Sequence, residues 1–376
     1  MKTQMKPTIW FLALLAFVAA GSWWKLGGSF TRMPAGGGAQ VVASQLPVKL
    51  QQLLASAPAQ IGQCDIARLN LLCSEGLPGA ESLNPQECIA TLDGWAERIK
   101  SETERHLYRY KASPREFESS EGYFRMLMMA VVLYEDFSVR YNPERISTPG
   151  ALDANDHFFA DSRDVFLHGL LGMEVQSLES KVQSPRSKVQ SPDSPSSLAL
   201  GTCSSMPVLY IAIGRRLGYP LKLVTTKAHL FIRWESATER FDLEATGKGM
   251  NRYDDEHFKQ WPFPVTEEEI KADGYLKSLT PVEELAVFLS LRGHCLREAG
   301  RTQEAASAYR AAAGLAPASR AYRLLLADTL GGSAASLPAE ASRQTRASGP
   351  GLPPEVLKSP TQSGPDPNPN PLVKIH

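Results

Sequence analysis

The sequence predicts an α+β protein, on three observations. Apolar residues up to about Tyr141 recur at three- and four-residue spacing, residues 206–245 read as one helix followed by strands, and residues 281–330 return to a helical pattern. The 376-residue chain is 43% hydrophobic and 21% charged, the balance of a protein that buries a core, and it is longer than one ordinary domain. Forty basic residues against forty acidic ones leave no global field that would draw the chain to nucleic acid or to an anionic membrane.

The N-terminal element is not expected to belong to the fold. Lys2 and Lys6 precede an uncharged apolar stretch from Pro7 to Trp24, the design of a secretory signal. Val18-Ala19-Ala20 suits signal peptidase, while residues 7–24 also suffice for a short membrane anchor with Trp23 and Trp24 at the interface. Residues 1–25 are therefore a signal peptide or a signal anchor. The body is expected to be exported, periplasmic or otherwise extracytoplasmic, and to meet a membrane through this segment alone. Gly- and Ser-bearing residues 26–46 read as a flexible linker.

Residues 47–150 read as a helical N-terminal domain. Leu92, Trp95, Ala96 and Ile99 share a helix face, as do Tyr123, Leu127, Ala130 and Tyr134, and Ser113 before Pro114 and Ser120 before Glu121 are helix starts. His106, on a charged helix, reads as a surface or half-buried residue. Of the five cysteines, Cys64 and Cys73 on one continuous helix would lie about 13 Å apart, too far for a bridge, so Cys73 with Cys88 is the better disulfide pair. No Cys-x-x-Cys or Cys/His spacing suits a structural zinc.

The catalytic-looking unit spans residues 151–265, interrupted at 177–197 by a low-complexity insertion in which Ser-Lys-Val-Gln-Ser-Pro nearly repeats. After it come a helix at 206–217 and strands at 221–226, 228–235 and 240–245. Residues 286–319 match the tetratricopeptide pattern: Gly293, Ala305, Tyr309, Ala312 and Pro317 fall on diagnostic positions, with Leu289 where Trp is usual and Leu296 where Tyr is usual. One repeat cannot bury its own faces, so it is expected to dock on the catalytic unit or pair with a helix at 320–330. Residues 331–376 read as a disordered tail.

The chemistry concentrates on Cys203 and His229. Thr202 reads as an N-cap, which places Cys203 in the first helical turn, where free N–H groups and the dipole favour a thiolate nucleophile and can hold an oxyanion. His229 heads the strand 229–234, sharing a face with Phe231 and Arg233, while Leu230, Ile232 and Trp234 take the other. Asp242 and Glu244 share a face on the next strand, and either can orient the imidazole as the third member of a triad.

Cys203 at a helix start, His229 on the following strands and an acid within Phe-Asp-x-x-x-Thr (241–246), with Arg215-Arg216-Leu217-Gly218-Tyr219-Pro220 between them, resemble the transglutaminase-like superfamily and its bacterial exported branch. The resemblance covers about residues 155–265. It implies a papain-like transglutaminase core, a Cys-bearing helix packed on an antiparallel sheet, with Cys203 as nucleophile, His229 as general base and acid, and Asp242 as orienter. Some relatives have Asn-x-Glu where this chain has Asp242-Leu243-Glu244, so Glu244 stays open as the alternative third member. The implied function is cysteine acyl transfer, chiefly amide hydrolysis on a peptide or protein substrate, with no cofactor and no metal. The alternative is a non-catalytic peptide-binding or scaffold protein, with a protein partner on the repeat-like helices.

Overall fold

Capping chemistry marks out the helices of the computed structural model, which describes residues 45–145, 157–171, 198–246 and 251–331. The signal segment, most of the linker, the low-complexity insertion and the tail after Gly331 lie outside the described residues. Two short helices, α1 (Val48–Leu54) and α2 (Pro58–Ile61), lead to α3 (Ile66–Ser74), whose first N–H groups are taken by the Asp65 carboxylate. Asn84 does the same for the 28-residue α4 (Pro85–Ala112), with Pro85 at its first position, Glu87 in its first turn and Arg109 and Lys111 in its last. Ser120 caps α5 (Glu121–Glu135), as its sequence context implied. Pro114, by contrast, opens only a single 3-10 turn, Pro114–Phe117.

The lead-in segment is not helical to its end. Ser138 takes a left-handed φ of 54°, and Val139–Tyr141 forms β1, paired in parallel with β2 (Ala199–Gly201). A three-residue strand is too short to show a period of two, which is why its sequence reads as a continuation of the helix. The strand β2 runs directly into Thr202 and Cys203. The short helix α6 (His168–Leu171) packs beside it.

The second half is built on α7 (Met206–Arg216) and a four-stranded antiparallel sheet in the order β3 (Leu221–Thr226), β4 (His229–Glu235), β5 (Arg240–Leu243), β6 (Arg252–Tyr253). Its two faces are chemically distinct. Leu221, Leu223, Leu230, Ile232, Trp234, Phe241 and Leu243 join α7 in the main core. Val224 and Phe231 form a second, small cluster with Phe258 of α8 (Asp255–Gln260), Phe231 and Phe258 stacking at 3.8 Å. The alternation seen along residues 229–234 is therefore the division between these two clusters.

A helix α9 (Glu267–Asp273) leads to the C-terminal helices α10 (Pro281–Glu298), α11 (Thr302–Leu315) and α12 (Arg320–Thr329). Thr280 and Glu283 make a capping box at the head of α10. Gly293 lets α10 and α11 approach closely: a β-carbon there would stand 2.5 Å from the Tyr309 ring. The helix pair does two things that its isolation in sequence required. It packs on α12, and through α10 it packs on α3, where the Arg292 guanidinium donates to the Cys73 and Glu75 carbonyls at the helix end. Arg215 at the end of α7 also makes two hydrogen bonds to the fully buried Glu284 of α10. One hydrophobic cluster consequently runs from Leu46 to Ala312, joining segments that read as separate domains.

All five cysteines are free thiols. Cys73 and Cys88 are both buried but unbridged, and burial pushes their thiols up to about 12 and about 11. Cys64 precedes the Asp65 cap and shares no helix with Cys73.

Candidate functional site

Cys203 sits in a tight turn ahead of α7, three residues before its first helical residue. Thr202 does not cap that helix. Its hydroxyl donates to the Asp164 carbonyl at 2.6 Å and accepts from the Ser204 N–H, while its own N–H donates to Ser205 Oγ and its carbonyl accepts from Ser205 and Met206. Asp164 is itself held by Asn142 and Arg145 beyond β1, and the Asn142 N–H donates to the Gly201 carbonyl. The parallel β1–β2 pair thus fixes the turn that presents the thiol. The N–H groups of Thr202, Ser204 and Ser205 all have partners in this network, whereas that of Cys203 makes no hydrogen bond among the described residues. The Cys203 sulfur is 3.8 Å from Ser204 Oγ.

The thiol is 2% exposed, and burial pushes its pKa well above the ordinary range, against the lowering effect of its hydrogen bonds. Burial thus works against the thiolate that a helix N-terminus would favour, and the helix begins only at Met206.

His229 follows a two-residue hairpin in which Ala228 takes a left-handed φ of 58°, and its side chain is completely buried. Nε2 lies 2.6 Å from Glu244 Oε2, and Nδ1 is buried with no hydrogen-bond partner. The Trp261 ring stands edge-on to the imidazole with centroids 4.6 Å apart, and Phe258 lies more parallel at 6.3 Å.

The acid that meets the imidazole is Glu244, the alternative left open above, whereas Asp242 turns to Arg233. Asp242 pairs directly opposite Arg233 in the β4–β5 register, and its two oxygens accept from Arg233 Nε and Nη2 at 2.6 and 3.0 Å. Arg233 also binds Asp255 at the head of α8 and the Leu276 carbonyl. Asp242 therefore serves a buried ion-pair cluster that ties the sheet to α8. Burial raises the Glu244 pKa, but the His229 charge and hydrogen bonds from His229 and Thr246 outweigh it, and the carboxyl is held below its usual value.

Cys203 and His229 Nδ1 make no hydrogen bond to each other in this state, although the Glu244 charge reaches the thiol and contributes to its upward shift. Two residues of this assembly stood in the sequence only as a strand-face neighbour and a motif member, with no role given to them. Arg233 carries the clearer signal, being on the same strand face as His229. Thr246 is the other: its N–H and hydroxyl both donate to Glu244 Oε1, at 2.9 and 2.7 Å. Among the described residues no group of three His, Cys, Asp or Glu side chains could hold a metal ion, and no helix is long and apolar enough to cross a membrane.

No family model, no curated protein and no solved structure matches this chain.

Proposed function

We propose that this chain is a cysteine acyl-transfer enzyme of the transglutaminase-like type that hydrolyses amide bonds in a peptide or peptide-like substrate. The observation that carries the reading is the state of His229: one ring nitrogen on a buried carboxylate, the other buried and unpartnered, in a fold that places a cysteine turn at the head of the adjoining helix. His106 and His168 also bury a ring nitrogen without a partner, and what sets His229 apart is the 2.6 Å bond of its other nitrogen to a buried carboxylate, the arrangement that a proton-transfer role uses.

Cys203 is the nucleophile, His229 the base and then the acid, and Glu244 the orienter. The thiol proton passes to His229 Nδ1 as sulfur bonds to the amide carbon. The tetrahedral oxygen takes the Cys203 N–H, which has no partner among the described residues, and the C–N bond then breaks with return of the proton to the leaving amine. Water deprotonated by the same nitrogen attacks the thioester, releasing the acid and restoring the thiol. Glu244 stays ionised throughout and keeps Nε2 protonated. Catalytic hydrogen bonds are often absent before substrate binds, which fits the unjoined Cys203 and His229.

In this reading the core is papain-like, and α10 with α11 is a tetratricopeptide-type pair, a surface suited to a protein partner. Export through residues 1–25 would place the enzyme among peptide substrates outside the cytoplasm. The second reading is a non-catalytic scaffold on the same fold, favoured by one observation, the burial of the Cys203 thiol.

A thiol-reactive amide probe on the intact chain separates the two. Peptide mapping is expected to find the label on Cys203 in wild type and to lose it in Cys203→Ala and in His229→Gln. Labelling of Cys203 that is equal in wild type and His229→Gln, or confined to Cys64, favours the scaffold.

A further inference from the structure

The Glu244 carboxylate is 3% exposed and uses both oxygens. Oε2 takes the imidazole, and Oε1 takes two donors from one residue, Thr246. The backbone N–H of Thr246 would make its bond with any side chain at this position, because it depends only on the turn after β5. The hydroxyl bond does not. Thr246 is itself 5% exposed and follows Ala245, which is packed in the main core, so the hydroxyl is enclosed where it stands. A carboxylate gripped at one oxygen by two donors two residues away cannot swing about its last side-chain bonds. Its other oxygen is therefore left pointing at Nε2.

We propose that Thr246 is a positioning residue of the candidate site: its hydroxyl fixes the Glu244 carboxylate, and through it the tautomer and orientation of His229. The proposal rests on the acyl-transfer reading for its consequence in catalysis, but the positioning itself is a property of the three side chains. Serine keeps the donor, whereas valine keeps the shape and removes it. Without the hydroxyl, Oε1 retains one donor, the carboxylate gains rotational freedom, and the 2.6 Å bond to Nε2 is no longer enforced.

The test is proton NMR of the full chain in wild type, Thr246→Val, Thr246→Ser and Thr246→Ala, together with thermal melting. A short bond between buried groups gives a low-field, slowly exchanging imidazole N–H signal, assigned by its loss in Glu244→Gln. The expected result is that this signal broadens or disappears in Thr246→Val and Thr246→Ala and returns in Thr246→Ser. Alkylation of Cys203 should fall about tenfold or more in the first two, the effect of losing a hydrogen bond to a charged group. A merely structural threonine would lower the melting temperature and leave the signal in place. Unchanged signal in folded Thr246→Val, or in Thr246→Ala if the valine variant does not fold, overturns the proposal. Loss of the signal with unaltered Cys203 chemistry in every variant upholds the positioning and removes the acyl-transfer reading instead.

Discussion

Asp242 lies on β5 and Glu244 just past its end, and the two make different contacts. Removing the Glu244 charge leaves Nε2 without its anion and should cripple the chemistry, by as much as about 10⁴ in a comparable triad. Glu244→Gln is therefore expected to abolish Cys203-specific labelling in a protein that still folds. Asp242→Asn should do the opposite. It takes one anion from the buried Arg233, with Asp255 still bound, so stability falls by about 1–3 kcal/mol while labelling persists. Urea denaturation and labelling of both single variants measure this. Normal labelling in Glu244→Gln with loss in Asp242→Asn would restore Asp242 as the orienter. The residue types of the candidate site were legible in the sequence, since cysteine, histidine and a nearby acid are what the proposed chemistry requires. The choice of acid was not. His229 lies four residues from Arg233, about 13 Å along β4, and antiparallel register sets Asp242 opposite Arg233. The strands read at 228–235 and 240–245 already bounded the turn between them, but the pairing of Asp242 with Arg233 across it was not drawn from the sequence.

At the scale of elements, the C-terminal helix pair shows two opposed effects of one substitution. Gly293 lies inside α10, where alanine would gain about 1 kcal/mol of helix propensity. The added methyl would meet the Tyr309 ring at 2.5 to 2.7 Å, and Tyr309 is fully buried. Forcing extra carbon into packed surroundings costs about 1–3 kcal/mol, so Gly293→Ala should destabilise the protein, by up to about 2 kcal/mol after the propensity gain. Gly94, inside α4 with open space around its β-carbon position, is the control, and Gly94→Ala should stabilise. Melting curves of both variants check the pair; a stabilised Gly293→Ala would mean that α10 and α11 do not approach as closely as described. Gly293 and Tyr309 stood out in the sequence as a small and an aromatic residue at positions of a helix-pair pattern, but their contact was not read there. The parallel β1–β2 pair was not, because it joins residues about 60 positions apart and each strand is three residues long.

Across the whole molecule, one shared core makes stability a common property of the site and the helices behind it, and two buried histidines link that stability to pH. His168 is held down to about 4, chiefly by burial and also by Arg163, against the Gly79 backbone, Asp161 and Glu81. His294 is held down to about 3 by burial and by Arg297; it stacks on Phe159 and lies 3.0 Å from the Tyr309 hydroxyl. Both folded values lie below the ordinary value of 6.5. The unfolded chain therefore binds protons that the folded one refuses, and stability falls as pH drops below about 6.5, levelling off for these two groups near their folded values. At pH 5 the loss is on the order of 1–2 kcal/mol for each histidine. Glu244, whose pKa is depressed, adds its own loss only below the ordinary range for glutamate. The expected outcome is a melting temperature several degrees lower at pH 5 than at pH 7.5, with a smaller difference in His294→Gln, which removes one of the two titrations. Equal melting temperatures at the two pH values in wild type would show that neither histidine is buried in its neutral form, and with it that α10 is not packed against Phe159 as described.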